Sequence, residues 1–419
     1  MPRYDAVVVG AGPAGSATAA HLASRGARVL VVDRSGFPRD KACGGGLTPR
    51  GVAALDRLKI DQPPDEFVRV GGLEMCGTDR AISARFPSTS RWPDYGVVTR
   101  RSVLDAKVLD AAQRLGAEFR SGVRALGPLM ENGSCRGVRI RHNGTVEDVA
   151  ATWTIAADGA TSAIARGAGA APTVASEDGF WYTALRAYFS DVAPHHGDGL
   201  PLIEFYPLRG AGGRWLPAYG WVFPLPGGGA NVGVDIPHSP GMDACPPLRD
   251  AYTAFVKQLR ATRPGFERAT QDAPEVGALL PEAMRGFRPG VPGLLAVGDA
   301  AGMITPYSGE GIVYALEGAE YAANAILGGA APTETVREYS RALWDAYGFH
   351  FGWSLSFMKT MRKAPFARAA AALGLTSPRV LRAAVRIMAF LIEDDPSAPA
   401  STVSRGYLGF KRVFPGRPR

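Results

Sequence analysis

Tyr4-Asp5-Ala6-Val7-Val8-Val9-Gly10-Ala11-Gly12-Pro13-Ala14-Gly15 is the stretch on which the fold of this chain turns. Its short Val-rich run is too brief for a helix and reads as a buried parallel strand. Gly-x-Gly-x-x-Gly follows, and then Ala17 to Arg25, which reads as a helix. In such a turn Gly10 permits the tight bend and Gly12 lets the backbone approach a pyrophosphate, while Gly15 lets helix and strand pack closely. The free N–H groups and the dipole at the helix N-terminus attract that anion. A second strand, Arg28 to Val32, ends in Asp33, 23 positions beyond Gly10. This acid is placed to accept hydrogen bonds from a ribose hydroxyl. A glycine turn alone would be compatible with binding nothing. Strand, glycines, helix, second strand and terminal acid at this spacing together point to a dinucleotide.

The chain has 419 residues, enough for two domains or one large domain with an inserted part. Its apolar fraction of 46% and charged fraction of 21% are those of an ordinary globular protein. Four cysteines (Cys43, Cys76, Cys135 and Cys245) lie far apart, with no metal-ligand spacing, so no metal is expected. With no signal peptide ahead of the first strand, the expected setting is a reducing cytoplasm. No apolar stretch has the length needed to span a bilayer. The net charge of +8 admits nucleic acid, anionic lipid or an anionic cofactor as partner. Without a recognised motif or basic-aromatic interleaving, nucleic acid is set aside. The charge gathers at one end, where Lys359 to Arg419 holds 12 Lys/Arg against three acids.

After Asp33, the stretch Arg34 to Arg50 is rich in turn formers and is expected to form no regular element. Its Gly44-Gly45-Gly46 lets the backbone come close to something flat or bulky. Gly51 to Leu58 reads as a helix, and residues 66–98 as short strands of a different sheet. Helical spacing returns from Val98 to Leu115, with Leu104, Val108, Leu109 and Ala112 on one face. Alternating strands follow from Ala117 to Ala157, the last running into Asp158-Gly159. Residues 180–236 alternate and are rich in aromatics, as an antiparallel sheet would be, and residues 248–262 read as a helix. Gly293 to Gly302 is a third strand ending in an acid, Asp299. A loop, Thr305 to Ile312, and a helix, Val313 to Leu327, come next. The expected architecture is α/β. Nucleotide-type segments at 1–60, 99–175 and 290–330 interleave with sheet-type segments at 61–98 and 176–289, and a helical region fills 331–419.

The three strand-end motifs, in this order, resemble those of the p-hydroxybenzoate-hydroxylase-like group of FAD-dependent oxidoreductases. Within that group the chain resembles the geranylgeranyl reductase family, whose members saturate double bonds in isoprenoid chains. The narrower likeness rests on Lys41-Ala42-Cys43-Gly44-Gly45-Gly46-Leu47-Thr48-Pro49-Arg50 and on Tyr219-Gly220-Trp221-Val222-Phe223-Pro224. The latter is similar to the family's Tyr-x-Trp-x-Phe-Pro signature, which ordinarily ends in Gly-x-Gly. Here that place reads Gly233-Val234-Asp235. The resemblance covers about residues 4 to 330 and implies a Rossmann-type FAD-binding domain interleaved with an antiparallel-sheet substrate domain. It further implies that Gly10, Gly12, Gly15 and Asp33 hold the ADP half of FAD. Arg101, followed by Leu104 and Asp105, would contact the phosphate or ribityl region. Asp158 matches a motif tied to both FAD and nicotinamide, and Asp299 would bind the ribityl or pyrophosphate. Gly309 and Gly311 would offer N–H groups to the reduced flavin ring. Ala11, Ala14, Arg34, Cys43, Gly44, Gly298, Pro306 and Ile312 complete the expected cofactor contacts.

Each of these residues also has a plainer reading. Asp299 could cap a helix, although an uncompensated carboxylate there would be costly. Cys43 is either a small buried hydrophobe or, in its glycine-flanked loop, a group that handles substrate or donates a proton. Cys76, Cys135 and Cys245 read as structural. Tyr219 and Trp221 point to one face of a strand, either as core or as a pocket wall over the flavin. His195-His196 reads as a solvated loop. In the tail, Leu381, Val385, Met388 and Ile392 follow helical spacing, with Arg379, Arg382 and Arg386 on a different face. Such a helix can lie on an anionic membrane or pack on the protein.

The expected activity is saturation of prenyl double bonds by an FAD-dependent reductase, with NAD(P)H or another donor as reductant. The catalytic candidates are Cys43, Tyr219 and Trp221. An FAD monooxygenase acting on an aromatic or polyketide-like molecule is the alternative. A halogenase is disfavoured because Trp-x-Trp-x-Ile-Pro is not found, and a catalytically silent flavin or lipid carrier because the nucleotide motifs are intact.

Overall fold

Val7, Val8 and Val9 are buried in β1 (Tyr4–Val9), a central strand with a parallel neighbour on each side, as in a parallel sheet covered on both faces. On one side lie β2 (Val29–Val32) and then β8 (Glu118–Arg120), both parallel to it. On the other lie β11 (Thr145–Ala156), β19 (Leu294–Ala296) and the short antiparallel β18 (Gly290–Val291). Val8 stands between Val31 and Ile155 in this register. β9 (Arg124–Glu131) and β10 (Ser134–His142) extend β11 as an antiparallel ribbon. The computed structural model describes residues 4–77, 80–171, 181–193, 199–209, 215–238, 245–361, 365–366, 369, 376–392 and 402–413.

The second sheet is mainly antiparallel. Its order is β16 (Thr270–Gln271), β12 (Trp181–Ser190), β15 (Gly229–His238), β14 (Trp215–Leu225), β13 (Ile203–Arg209), β5 (Gly72–Cys76) and β6 (Ala81–Arg85). β17 (Val276–Pro281) adds to β12. A third, small sheet joins β3 (Gly46–Leu47), β7 (Gly96–Thr99) and β4 (Phe67–Val70). On the parallel sheet, α1 (Pro13–Ala23) packs between α3 (Arg101–Arg114) and α6 (Ile312–Leu327), and α2 (Pro49–Arg57) rests on α6. α4 (Ala163–Gly167) follows β11, and α5 (Leu248–Thr262) covers β12 and β15. The result is α/β, with strands of the second sheet drawn from both sides of the α3 segment.

Three boundaries differ from the sequence expectation. α1 begins at Pro13 rather than Ala17, because Pro lacks only an N–H that the first helical turn leaves unbonded anyway. Val98 belongs to β7, where it pairs with Val68 and Gly46, so the following helix starts only at Arg101. Within Arg34 to Arg50, expected to be irregular throughout, Gly46–Leu47 forms a strand and Pro49–Arg50 opens α2. Of residues 66–98, only β5 and β6 join the antiparallel sheet; β4 and β7 lie in the third. His195-His196 falls outside the described residues.

The C-terminal region contributes helices at Pro332–Leu343, Phe349–Met361, Pro378–Met388 and Thr402–Val413. In Pro378–Met388, Leu381 and Val385 are buried together with Ala84 of β6 and Phe86. Met388 is only half-buried. The apolar face of this helix is therefore spent on the protein, as the packed-helix reading expected. Exposed Arg379 and Arg382 lie outside that contact. No helix among the described residues is long and apolar enough to cross a membrane.

A buried ion pair ties α2, α6 and the following helices together. Arg50 donates from Nε to Glu317 Oε1 at 3.2 Å and pairs again through Nη2, with side-chain exposures of 7% and 14%. Tyr347 donates to the same carboxylate at 2.7 Å, and the Phe390 ring lies 4.6 Å under the guanidinium. Removing one partner leaves a buried charge alone. Glu317→Ala is expected to lower unfolding free energy by about 3–5 kcal/mol, measured by urea denaturation. A loss no larger than that of an exposed pair would contradict this reading.

Candidate active site

The C-terminal ends of β1, β2, β11 and β19 open into a cavity of about 590 Å³, closed on its far side by the second sheet. Its polar end is built chiefly from backbone. Gly10 has φ +102°, and a Cβ there would lie 2.3 Å from Ala157 O. A Cβ on Gly15 would lie 1.9 Å from Gly10 O, so helix and strand touch where only glycine fits. Gly12 differs: the one atom near its missing Cβ is Arg39 Nη2 at 3.4 Å, which leaves its face open to the cavity. Asp33 closes the turn, accepting from Ala11 N–H and Ser35 N–H, both at 2.8 Å. It still lines the cavity with Arg34 and retains lone pairs for a ribose hydroxyl.

Arg101 also lines this end, held by two 2.7 Å bonds to Asp105, which Arg39 approaches at 3.1 Å. Burial works against the Arg101 charge, but the Asp105 carboxylate outweighs it and holds the guanidinium firmly protonated. Asp158 accepts from the Ser162 hydroxyl and from Ala163 N–H at 2.8 Å, so it also caps α4. Burial pushes its carboxyl up. Asp299 meets Lys41 at 2.8 Å. Burial alone would raise the Asp299 carboxyl, but Lys41 and Arg101 outweigh it and hold it below the usual range.

The other end is apolar. Phe205, Tyr219, Trp221 and Phe223 form its wall, with ring centroids 5.2–6.2 Å apart between neighbours. Val97, Val98, Ile203 and Leu280 line it as well. Trp221 is 4% exposed, so the two readings of this strand merge: one face serves as core and wall. Its Nε1–H donates to Asn231 Oδ1 at 3.0 Å, and Asn231 donates in turn to Cys43 O at 2.7 Å. Arg186 of β12 donates to Lys41 O at 2.9 Å. The second sheet thus holds the glycine loop, and it leaves no space for a side chain at Gly44, where a Cβ would lie 2.7 Å from the Phe223 ring. Cys43 lines the cavity, with Gly45 N–H donating to its Sγ at 3.4 Å.

Of the residues singled out from sequence, Gly10, Gly12, Ala14, Asp33, Arg34, Cys43, Gly44, Arg101 and Asp158 line this one cavity. Tyr219, Trp221, Asp299, Gly309, Gly311 and Ile312 line it too. Ala11, Gly15, Gly298 and Pro306 stand buried behind the wall. Cys76 and Cys135 are buried away from it, as expected of structural thiols. No metal cluster occurs among the described residues.

Two carboxyls escaped the sequence reading. Asp235 is 2% exposed and lines the apolar end, and its Oδ1 has no hydrogen-bond partner among the described residues. Burial pushes it up to about 8. Glu310, between Gly309 and Gly311, is pushed by burial up to about 7. The signal for Asp235 was present, since it stands where the family signature has glycine. The signal for Glu310 was only its place between two singled-out glycines.

A glycine turn on a parallel sheet, a strand-end acid and a cavity reaching an aromatic second sheet define an FAD-dependent oxidoreductase. Residues 3–200 match the FAD binding domain family. The menaquinone reductase of Mycobacterium tuberculosis is 34% identical over 419 residues, covering 99% of this chain and 98% of that protein. The digeranylgeranylglycerophospholipid reductase of Thermoplasma acidophilum is 31% identical over 332 residues, 77% of this chain and 78% of that one. The chain belongs to the geranylgeranyl reductase family. Its fold is that of a geranylgeranyl bacteriochlorophyll reductase-like protein of Thermoplasma acidophilum, at TM-score 0.74 and 24% identity, covering 99% and 97% of the two chains. The flavin-dependent brominase Bmp2 shares it at TM-score 0.73 and 17% identity, covering 98% and 99%.

Asp235 and Glu310 bind protons more tightly folded than unfolded, so the stability they confer is complete below the ordinary carboxylate range. It is lost as pH rises, from about 4 to 8 for Asp235 and about 4.5 to 7 for Glu310. Asp235→Asn is therefore expected to flatten the decline of unfolding free energy across that window, by about 1.4 kcal/mol per pH unit. Denaturant curves between pH 5 and 8 check this. Equal slopes in both proteins would refute it.

Proposed function

We propose that this enzyme saturates carbon–carbon double bonds of a prenyl chain carried by a lipid, a prenyl diphosphate or a menaquinone-type molecule. The observation that carries the proposal is the two-ended cavity: a polar, backbone-built end joined without a break to an aromatic apolar one. The kinship to a menaquinone reductase and a digeranylgeranylglycerophospholipid reductase supports the same reading. Bound FAD, once reduced by NAD(P)H or another donor, supplies hydride. In this reading Gly10, Gly12 and Asp33 hold the ADP half, and the α1 N-terminus receives the pyrophosphate. Arg101, fixed by Asp105, and Asp299, fixed by Lys41, take the phosphate and ribityl region. Gly311 faces the ring with its backbone N–H, whereas the Gly309 N–H, expected to do the same, donates to Thr305 O at 3.0 Å. Tyr219, Trp221 and Phe223 align the prenyl chain and keep water out, which an unactivated alkene requires. Cys43 lies where the two ends meet and forms part of the substrate wall.

Anaerobic incubation of the dithionite-reduced protein with geranylgeranyl diphosphate or menaquinone, read by mass spectrometry, tests this. The expected product has gained two hydrogens per bond reduced. An oxygen-containing product formed in air from an aromatic molecule, with no saturated product anaerobically, would replace the reductase with a monooxygenase.

Peripheral contact with an anionic bilayer belongs to the same proposal. Exposed Arg379, Arg382 and Arg405 share the C-terminal region with exposed Phe357, Phe366 and Phe410. The protein is expected to sediment with anionic vesicles at low salt and to release at high salt. No sedimentation at low salt would remove this part.

A further inference from the structure

Asp235 is the cross-strand partner of Tyr219 on β14, so both side chains leave the sheet on one face and both line the apolar end of the cavity. Its partner on β12 is Ala184, too small to cover it. Above them the loop after residue 305 closes in. A Cβ on Gly309 would lie 3.1 Å from Asp235 Oδ2 and 3.1 Å from the Tyr219 oxygen. Tyr219 donates to Ser308 O at 2.7 Å. Asp235 Oδ1 is left without a partner among the described residues, on a residue that lines the substrate end. A buried carboxyl kept in that state costs stability, and such a group in a native fold calls for an explanation, a catalytic role being one.

We propose that Asp235 is the acid that protonates the substrate alkene, and that Tyr219 then steadies the carboxylate left behind. This rests on the prenyl-reductase reading above. The π bond breaks as hydride from reduced FAD forms a C–H bond at one carbon, and the proton of Asp235 forms a C–H bond at the other. Two electrons leave the cofactor, which its reductant restores, and the aspartate recovers a proton from water before the next turnover. Tyr219 can turn its hydroxyl from Ser308 O to Asp235 Oδ2 when that oxygen becomes charged.

An aspartate in its ordinary range would hold almost no proton at neutral pH. Burial keeps this one protonated up to about 8, and the other group acting on it, Tyr219, only moderates the rise. Burial pushes the Tyr219 phenol well above the usual value, with Asp235, Glu282 and Tyr182 adding to the rise. Tyr219 is therefore a poor acid that keeps its proton and remains able to donate a hydrogen bond. At the other end of the cavity, the Lys41–Asp299 pair already satisfies its own charge.

The test uses the FAD-loaded, dithionite-reduced protein with the prenyl substrate that the wild type saturates. Asp235→Asn is expected to slow single-turnover product formation by about 10²–10⁴-fold while FAD content and substrate affinity stay unchanged. The wild-type rate should fall as pH rises through about 8, a limb missing from the variant. Tyr219→Phe should keep the limb but move it to higher pH, which a merely structural role would not do. Infrared spectra without substrate should show a protonated-carboxyl band in the wild type that is absent from Asp235→Asn. A variant as fast as wild type, or an unchanged infrared band, overturns the assignment of Asp235 alone. A wild type that saturates no prenyl substrate overturns the reductase reading, and the proton donor falls with it.

Discussion

The Gly10 carbonyl oxygen lies 1.9 Å from where a Cβ on residue 15 would be. No side chain can exist there, and that contact brings α1 down onto the end of β1. Once it is made, Gly10 must bend beside the Ala157 carbonyl at the end of β11, with its positive φ. Asp33, at the end of β2, then reaches the Ala11 N–H. Three strand ends and one helix N-terminus converge because backbone atoms touch backbone atoms. The glycine turn of the polar end is thus assembled from backbone groups that cannot change rotamer, as suits a site for an extended anionic cofactor.

Much of this was legible because local rules and tertiary demands agree. The Val-rich run needs burial on both faces, and the centre of the parallel sheet provides it. The helix at 248–262 was read to its ends because its apolar spacing matches the face that covers β12 and β15. Where the sequence misled, the deciding contact was distant. Gly46–Leu47 has no period to display and becomes a strand only because Val97 and Val98 lie alongside. Residues 66–98 read as one set of strands, yet long-range pairing divides them between two sheets. Lys41 and Asp299 are 258 positions apart, so the cation that makes the strand-end acid tolerable left no local trace. Leu381 and Val385 show the same spacing whether a helix faces lipid or protein, and Phe86 and Ala84 decide the matter.

Two carboxyls of the cavity, Asp299 and Asp235, are driven in opposite directions, and this divides the site chemically. Asp299 has Lys41 and Arg101 close by, so it stays ionised despite burial. Asp235 has burial and one neutral tyrosine, so it stays protonated. Environments that pull two acids apart assign them different work. A charged group suits the end where phosphates and a ribityl chain would lie. A second charge at the aromatic end would oppose an apolar substrate, whereas a neutral acid would not. The sequence displayed both aspartates plainly, but what separates them is the presence of a cation beside one and its absence beside the other, a property of the folded chain alone.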